Sequence, residues 1–231
     1  MTNSCRALSV MTLAAALLPL SLGAGNLTSC PAYQDVAKMG AVGSFDIDRY
    51  AGRWFEVASR RIPLVEGNVS CTYYDVGHDA GDAARWRDAI TLKQGPAAGG
   101  GAVISTPSFG ARLSPDPALP GMLSEGCFLK GCDKPVVGAP YWVIDVVEAD
   151  EGTGGRGAAV GAAPYAYALV YSCVELLPVG GGKKLRQDFV YLYSRQRTMP
   201  PRVRLRFEAA MLAGGIHTEF IKDTEQAGCT D

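Results

Sequence analysis

The side chains best suited to covalent or metal chemistry in this 231-residue chain are seven cysteines and two histidines, His78 and His217. Zinc is a poor fit, because no two cysteines stand in C-x-x-C spacing and two histidines cannot complete a ligand set. No Ser/His/Asp constellation, glycine-rich phosphate loop or paired-carboxylate motif stands out, and two histidines leave little for general-base work. No catalytic residue, metal or cofactor is therefore assigned. What remains is disulfide chemistry and the non-covalent chemistry of ten tyrosines, each an apolar ring with one hydroxyl to orient a polar group.

The cysteine count depends on the first residues. Residues 7–22, ALSVMTLAAALLPLSL, are apolar; Arg6 is the one basic residue, and no acidic residue occurs, before Asp35. Small residues Gly23-Ala24-Gly25 follow, as in a cleavable signal peptide over 1–25. Pro19 and the shortness of the run argue against a spanning helix. Cleavage removes Cys5 and leaves six cysteines, an even number that points to disulfides in an exported protein, with fifteen connectivities open by counting. It also removes Arg6, so 22 basic residues become 21 against 23 acidic ones. That balance has no basic footprint, so nucleic acid is not an expected partner. Asn26-Leu27-Thr28 and Asn68-Val69-Ser70 are glycosylation sequons that matter only in a eukaryotic secretory route.

The elements that must position these residues are short strands closed by breakers. Runs 54–59, 71–76, 85–93, 102–109, 121–129, 141–147, 165–173 and 189–195 make eight, the fourth weakened by Pro107. Between them lie GPAAGGG, SPDPALPG, EGTGGRGAAVGAAP and PVGGGKK, read as flexible connections. Eight strands at fairly even spacing fit an all-β, eight-stranded up-and-down antiparallel barrel, and a sandwich less well. A C-terminal helix begins at Pro200-Pro201, places Val203, Phe207, Ala210 and Met211 on one face, and ends at Gly214-Gly215. Arg202, Arg204 and Arg206 read as its solvated face. Glu219-Phe220-Ile221 reads as one further short strand.

These residues carry a resemblance. Gly52-Arg53-Trp54-Phe55-Glu56-Val57, preceded by the helical turn Phe45–Tyr50, resembles the lipocalin G-x-W signature at the start of the first strand. Tyr167–Tyr171 and Tyr191–Arg195 resemble the family's later blocks, in the right order, with the helix after them. The similarity covers residues 30–229. Within the family the likeness is to apolipoprotein D and the plant plastid lipocalins, through Cys30-Pro31, Ile62-Pro63, Cys71, Pro140–Val143 and Ile221–Thr224. The chain departs from the family where Val146-Val147-Glu148 stand in place of a T-D-Y and a Gly/Ala-rich insertion follows. The hairpin there is remodelled, and family receptor contacts at that hairpin are not carried over.

The resemblance implies that Trp54 closes the barrel floor, with Arg195 laid over its indole and Gly52 letting the backbone pass beneath, a structural rather than a ligand-contacting role. It implies the pairs Cys30–Cys173 and Cys71–Cys229. Cys127 and Cys132 remain, five apart across a turn containing Gly131, a feasible local bridge. A nucleophilic cysteine, as in one prostaglandin-isomerising member, would need an unpaired thiol in the cavity, which Cys71 with its partner is not. The loop at Ile62–Val65 would lie at the open mouth, as a lid or as a peripheral contact with membrane or lipoprotein.

Period two and the family pattern then place Tyr74, Val76, Phe128, Tyr141, Val143, Tyr167, Leu169, Tyr191 and Tyr193 on the inward, ligand-binding face, although a one-residue slip would invert any strand. The expected function is binding, transport or sequestration of a small hydrophobic ligand by a monomer, with protection against lipid oxidation as one use. The rival classes are a lipid- or carotenoid-modifying enzyme, which lipocalin-shaped xanthophyll de-epoxidases show the scaffold permits, and a signalling or protective protein driven by its partner. Location is secreted, with the plastid lumen as the alternative.

Overall fold

The computed structural model describes residues 29–37, 45–60, 69–79, 82–95, 101–113, 116–127, 137–149, 164–180 and 183–230. The leader, the first sequon, Asn68 of the second, the Ile62–Val65 loop, Phe128, Cys132 and the Gly/Ala-rich insertion lie outside them.

Eight antiparallel strands form the wall: β1 (Gly52–Arg60), β2 (Val69–Asp79), β3 (Asp82–Gln94), β4 (Val103–Arg112), β5 (Met122–Cys127), β6 (Val137–Glu148), β7 (Tyr165–Gly180) and β8 (Lys183–Ser194). Each pairs with the next, and β1 pairs with both β2 and β8, so the sheet closes on itself. Closure removes the exposed sheet edges that would otherwise recruit other chains. Pro107 is accommodated because the β3–β4 register shifts between Asp88 and Ile90, whose partners are Phe109 and Thr106; a bulge is where a strand can hold a proline. The PVGGGKK stretch is not a flexible connection. β7 and β8 remain paired to Gly180↔Lys183, leaving two residues between them, the shortest antiparallel connection.

β1 and β2 pair only from Gly52↔Val76 to Phe55↔Tyr73. Beyond that point the C-terminal segment fills the gap. β9 (Lys222–Asp223) pairs with Ala58 and Ser59, Thr224 N–H donates to Val57 O, and Cys71 N–H donates to Glu225 O. The Gln226 amide donates to both Glu56 O and Thr72 O at 2.8 Å, linking the separated strands. The expected strand at Glu219–Ile221 is therefore misplaced by about three residues. Residues 219 and 220 form a turn, and the paired Lys222 and Asp223 are exposed, so no apolar alternation marks them.

Among the described residues three helices flank the barrel: α1 (Tyr33–Ala37), α2 (Ile47–Tyr50) and α3 (Pro201–Ala213). α3 buries Val203, Phe207, Ala210 and Met211, as the sequence predicts. They pack on the outer faces of β6, β7 and β8 against Ile144, Leu169, Val190 and Leu192. Its arginines are not simply a solvated face. Arg206 makes a two-pronged bond to Asp145, at 2.8 and 2.7 Å, and that carboxylate is 1% exposed. Arg204 reaches Glu208 and Asp223. Two disulfides, Cys30–Cys173 and Cys71–Cys229, tie the terminal segments to the wall. No helix among the described residues is long and apolar enough to cross a membrane.

Candidate ligand-binding site

The closed end is built around Trp54, whose side chain is fully buried. Its indole N–H donates to Tyr50 O at 2.7 Å, and the Arg195 guanidinium lies 3.7 Å from the ring centroid. Arg195 in turn donates to the carbonyls of Tyr165, Arg53, Arg49, Tyr50 and Ala51, five partners drawn from two chain segments. Burial pulls its pKa down to about 10, so it stays cationic at neutral pH and the cation–π contact is retained. Gly52 sits at φ +103°, and a Cβ there would stand 3.1 Å from an Arg195 nitrogen. Both its backbone conformation and the space beneath the guanidinium require glycine. Gly52, Trp54 and Arg195, the three residues expected at the floor, are thus in contact with one another.

α2 completes the floor. The Asp46 carboxylate caps it by accepting from Asp48 N–H, Asp48 holds His78 of β2 at 2.9 Å, and Arg49 holds Glu148 of β6 at 2.7 Å. The helix is thus moored to opposite walls, and Ile47 and Tyr50 project into the interior.

Six of the nine expected lining residues meet inside. Tyr74, Tyr141, Val143 and Tyr193 are buried there, with Val76 and Tyr191 partly buried beside them. Tyr193 stands edge-on to Tyr74 at 5.0 Å and stacks with Tyr191 at 5.9 Å; burial holds its phenol well above the ordinary value. The Tyr50 and Tyr141 hydroxyls share a hydrogen bond of 2.7 Å. Glu56, 1% exposed, accepts from the Thr224 hydroxyl at 2.7 Å and the Tyr74 hydroxyl at 3.3 Å, so the C-terminal strap touches the same network.

Tyr167 and Leu169 point the other way, into the cluster beneath α3. The inward residues of β7 are Ala168 and Val170, opposite Tyr193 and Tyr191. The reason is that β7 is apolar on both faces: the helix covers its outside and the barrel its inside, so period two gives no sign of direction. A register shift between Val147 and Glu148, opposite Tyr167 and Tyr165, adds one residue and sends those two tyrosines to opposite faces. Phe128 lies outside the described residues.

Trp86 was not among the expected lining residues, although it is 1% exposed and belongs to the interior cluster. Arg85-Trp86-Arg87 is the signal that could have found it, an aromatic between two charges on a strand. Trp86 borders a cavity of about 10 Å³ with Ile47, Tyr50, Val76, Ala111, Leu123 and Tyr141. That is room for about one water. Trp142, by contrast, packs outside the barrel with Tyr33 and Tyr171, at 5.7 and 5.9 Å.

Known proteins match this geometry. Mouse (Mus musculus) apolipoprotein D is 24% identical over 194 residues, covering 81% of this chain and 80% of its own. The solved structure of apocrustacyanin C2 superposes with a TM-score of 0.57 at 20% identity, covering 87% of this chain and 89% of the other. Lobster apocrustacyanin A1 gives 0.55 at 20% identity, covering 87% and 89%, and insecticyanin from the tobacco hornworm Manduca sexta gives 0.51 at 14% identity, covering 88% and 90%. No protein-family model matches. The closed antiparallel barrel with its Gly52–Trp54–Arg195 floor and outer C-terminal helix is the lipocalin fold. In sequence the chain is similar to one lipocalin, apolipoprotein D, and in fold to the solved structures of crustacyanin and insecticyanin.

Proposed function

We propose that the protein binds a small hydrophobic ligand inside the barrel and carries or sequesters it. The observation that carries this reading is the interior itself. Tyr74, Tyr141, Val143, Tyr191 and Tyr193 converge from three strands on one space that is closed at the floor by Trp54. Such a surface is apolar enough to hold a lipid-sized molecule and has hydroxyls to orient it. The cavity near the floor holds about 10 Å³, so the bulk of the ligand seats toward the mouth, where Tyr191 and Ile90 are only partly buried.

The reading is of a binder rather than an enzyme and of a monomer. The two disulfides fit an oxidising compartment, and with the apolar leader they support export as a cleaved protein whose domain spans 30–229. The match to a mouse protein favours the secretory route over a plastid lumen. The test is a titration with dodecanoic acid followed by intrinsic fluorescence. Trp54 and Trp86 lie inside the barrel, so saturable quenching with one site per chain is expected; a linear, non-saturating response overturns the reading.

A further inference from the structure

We infer that the closed end of the barrel is a polar subsite that receives a hydrogen-bond-accepting oxygen of the ligand through the Trp86 indole N–H. The inference rests on the proposed ligand-binding function and adds the chemical class of ligand: an apolar chain or ring ending in a carbonyl or a comparable acceptor.

Three observations converge on it. Trp86 is 1% exposed, and its Nε1–H, the one polar group of the side chain, has no hydrogen-bond partner among the described residues. Burying a donor without an acceptor is costly, and buried polar groups in folded proteins are overwhelmingly paired. His78, whose ring centroid lies 4.0 Å from that of Trp86, directs Nε2 to Asp48 instead. Trp86 also borders the small cavity, whose volume of about 10 Å³ suits a single oxygen. Finally, the cavity wall is otherwise apolar at Ile47, Val76, Ala111 and Leu123, with the Tyr50–Tyr141 hydroxyl pair as its remaining polar feature.

An indole nitrogen donates and cannot accept. The group it selects must therefore accept, which a carbonyl oxygen does and a hydrocarbon terminus or an ammonium does not. The route to the subsite is set by side-chain size. β1 and β8 fill their side of the interior with Trp54 and Tyr193, whereas β3, β4 and β5 offer Ile90, Ala111 and Leu123. A ligand tail laid along β3–β5 runs from Trp86 past Ile90 to the mouth.

The experiment uses two matched probes, 2-dodecanone and dodecane, with ¹H–¹⁵N spectra of the indole groups and calorimetric titration. Trp86→Phe assigns the resonance and removes the donor while keeping an aromatic ring. The expected result is a downfield move of the Trp86 N–H with 2-dodecanone and not with dodecane. Trp86→Phe should weaken 2-dodecanone about 3- to 10-fold, the usual worth of one net hydrogen bond, and leave dodecane unchanged. If both probes bind but the resonance responds alike to each, or the variant weakens both alike, the subsite is overturned and the binding function stands. If neither probe binds saturably, the binding function is overturned and the subsite with it. With the Trp86 N–H assigned independently by triple-resonance spectra, the resonance test on the unaltered protein decides the matter even if the variant does not fold.

Discussion

The barrel has two hydrophobic clusters separated by one layer of strand, and they are built differently. The outer one, between β6–β8 and α3, is mostly aliphatic around Phe207, with Met211, Leu169, Leu192 and Val190, and its three tyrosines, Tyr33, Tyr167 and Tyr171, are a minority. The inner one is dominated by Trp54, Trp86, Tyr50, Tyr74, Tyr141, Tyr165 and Tyr193. Aliphatic side chains pack densely and need no partners, which suits a surface that only has to hold a helix on a wall. Tyrosines and tryptophans carry a polar atom that must be matched, so an interior built from them combines packing with recognition. β7 supplies both clusters from alternate residues, which makes it the place to separate stability from binding.

The largest effect should come from the outer cluster. Phe207→Ala removes a fully buried ring, and we expect a loss of about 3–5 kcal/mol in urea unfolding, with ligand affinity per folded molecule unchanged. Trp54→Ala should cost a similar amount, because it also leaves the Arg195 guanidinium buried without its ring; a loss below about 1 kcal/mol would show that the floor is not a structural plug.

The disulfide at the strap comes next. Replacing Cys71 and Cys229 together by serine should cost about 2–5 kcal/mol. It should also raise hydrogen exchange selectively at the Thr224 and Cys71 amides, which pair across the gap between β1 and β2. Uniform loss of protection across the barrel would count against a local strap. Cys71 itself holds φ +54°, an unfavourable conformation for a non-glycine residue, and the bridge is one of the contacts that keep it there.

Arg206→Met tests the helix's mooring. It leaves the Asp145 carboxylate buried without its cation, but the arginine side chain is 46% exposed, so solvent screening limits the loss to about 1–2 kcal/mol. Thermal denaturation should show it, and a change below about 0.3 kcal/mol would mean the pair is inert.

How much of this was legible follows the same division between faces. Trp54, Arg195, Gly52 and both described cysteine pairs could be located because a family pattern marks them. The helix could be located because Pro200-Pro201 and Gly214-Gly215 bound it and Val203, Phe207, Ala210 and Met211 recur at helical spacing, even though Leu205 and Leu212 lie exposed on its outer side. The direction of Tyr167 and Leu169 was illegible, since a strand apolar on both faces has no period to read. β9 was illegible because side chains of Thr224 and Gln226, not apolar alternation, hold it in place. Trp86 stayed hidden because the shift at Asp88–Ile90 interrupts the alternation of β3.

The smallest effect on folding should come with the clearest effect on binding. Tyr191→Ala and Tyr167→Ala remove the same ring from neighbouring strands, on opposite faces. Tyr167→Ala should destabilise by about 3–5 kcal/mol and spare affinity. Tyr191→Ala, at a partly buried site, should cost under about 2 kcal/mol and weaken binding. Equal loss of stability at both positions would mean the interior is simply a second dry core.

The central claim, that the inner cluster is a working site, is tested most directly by native mass spectrometry of the protein purified from its own source. The account predicts a chain carrying one non-covalent apolar molecule, released when the barrel is denatured. A bare chain that also takes up no apolar ligand saturably when offered one would contradict it.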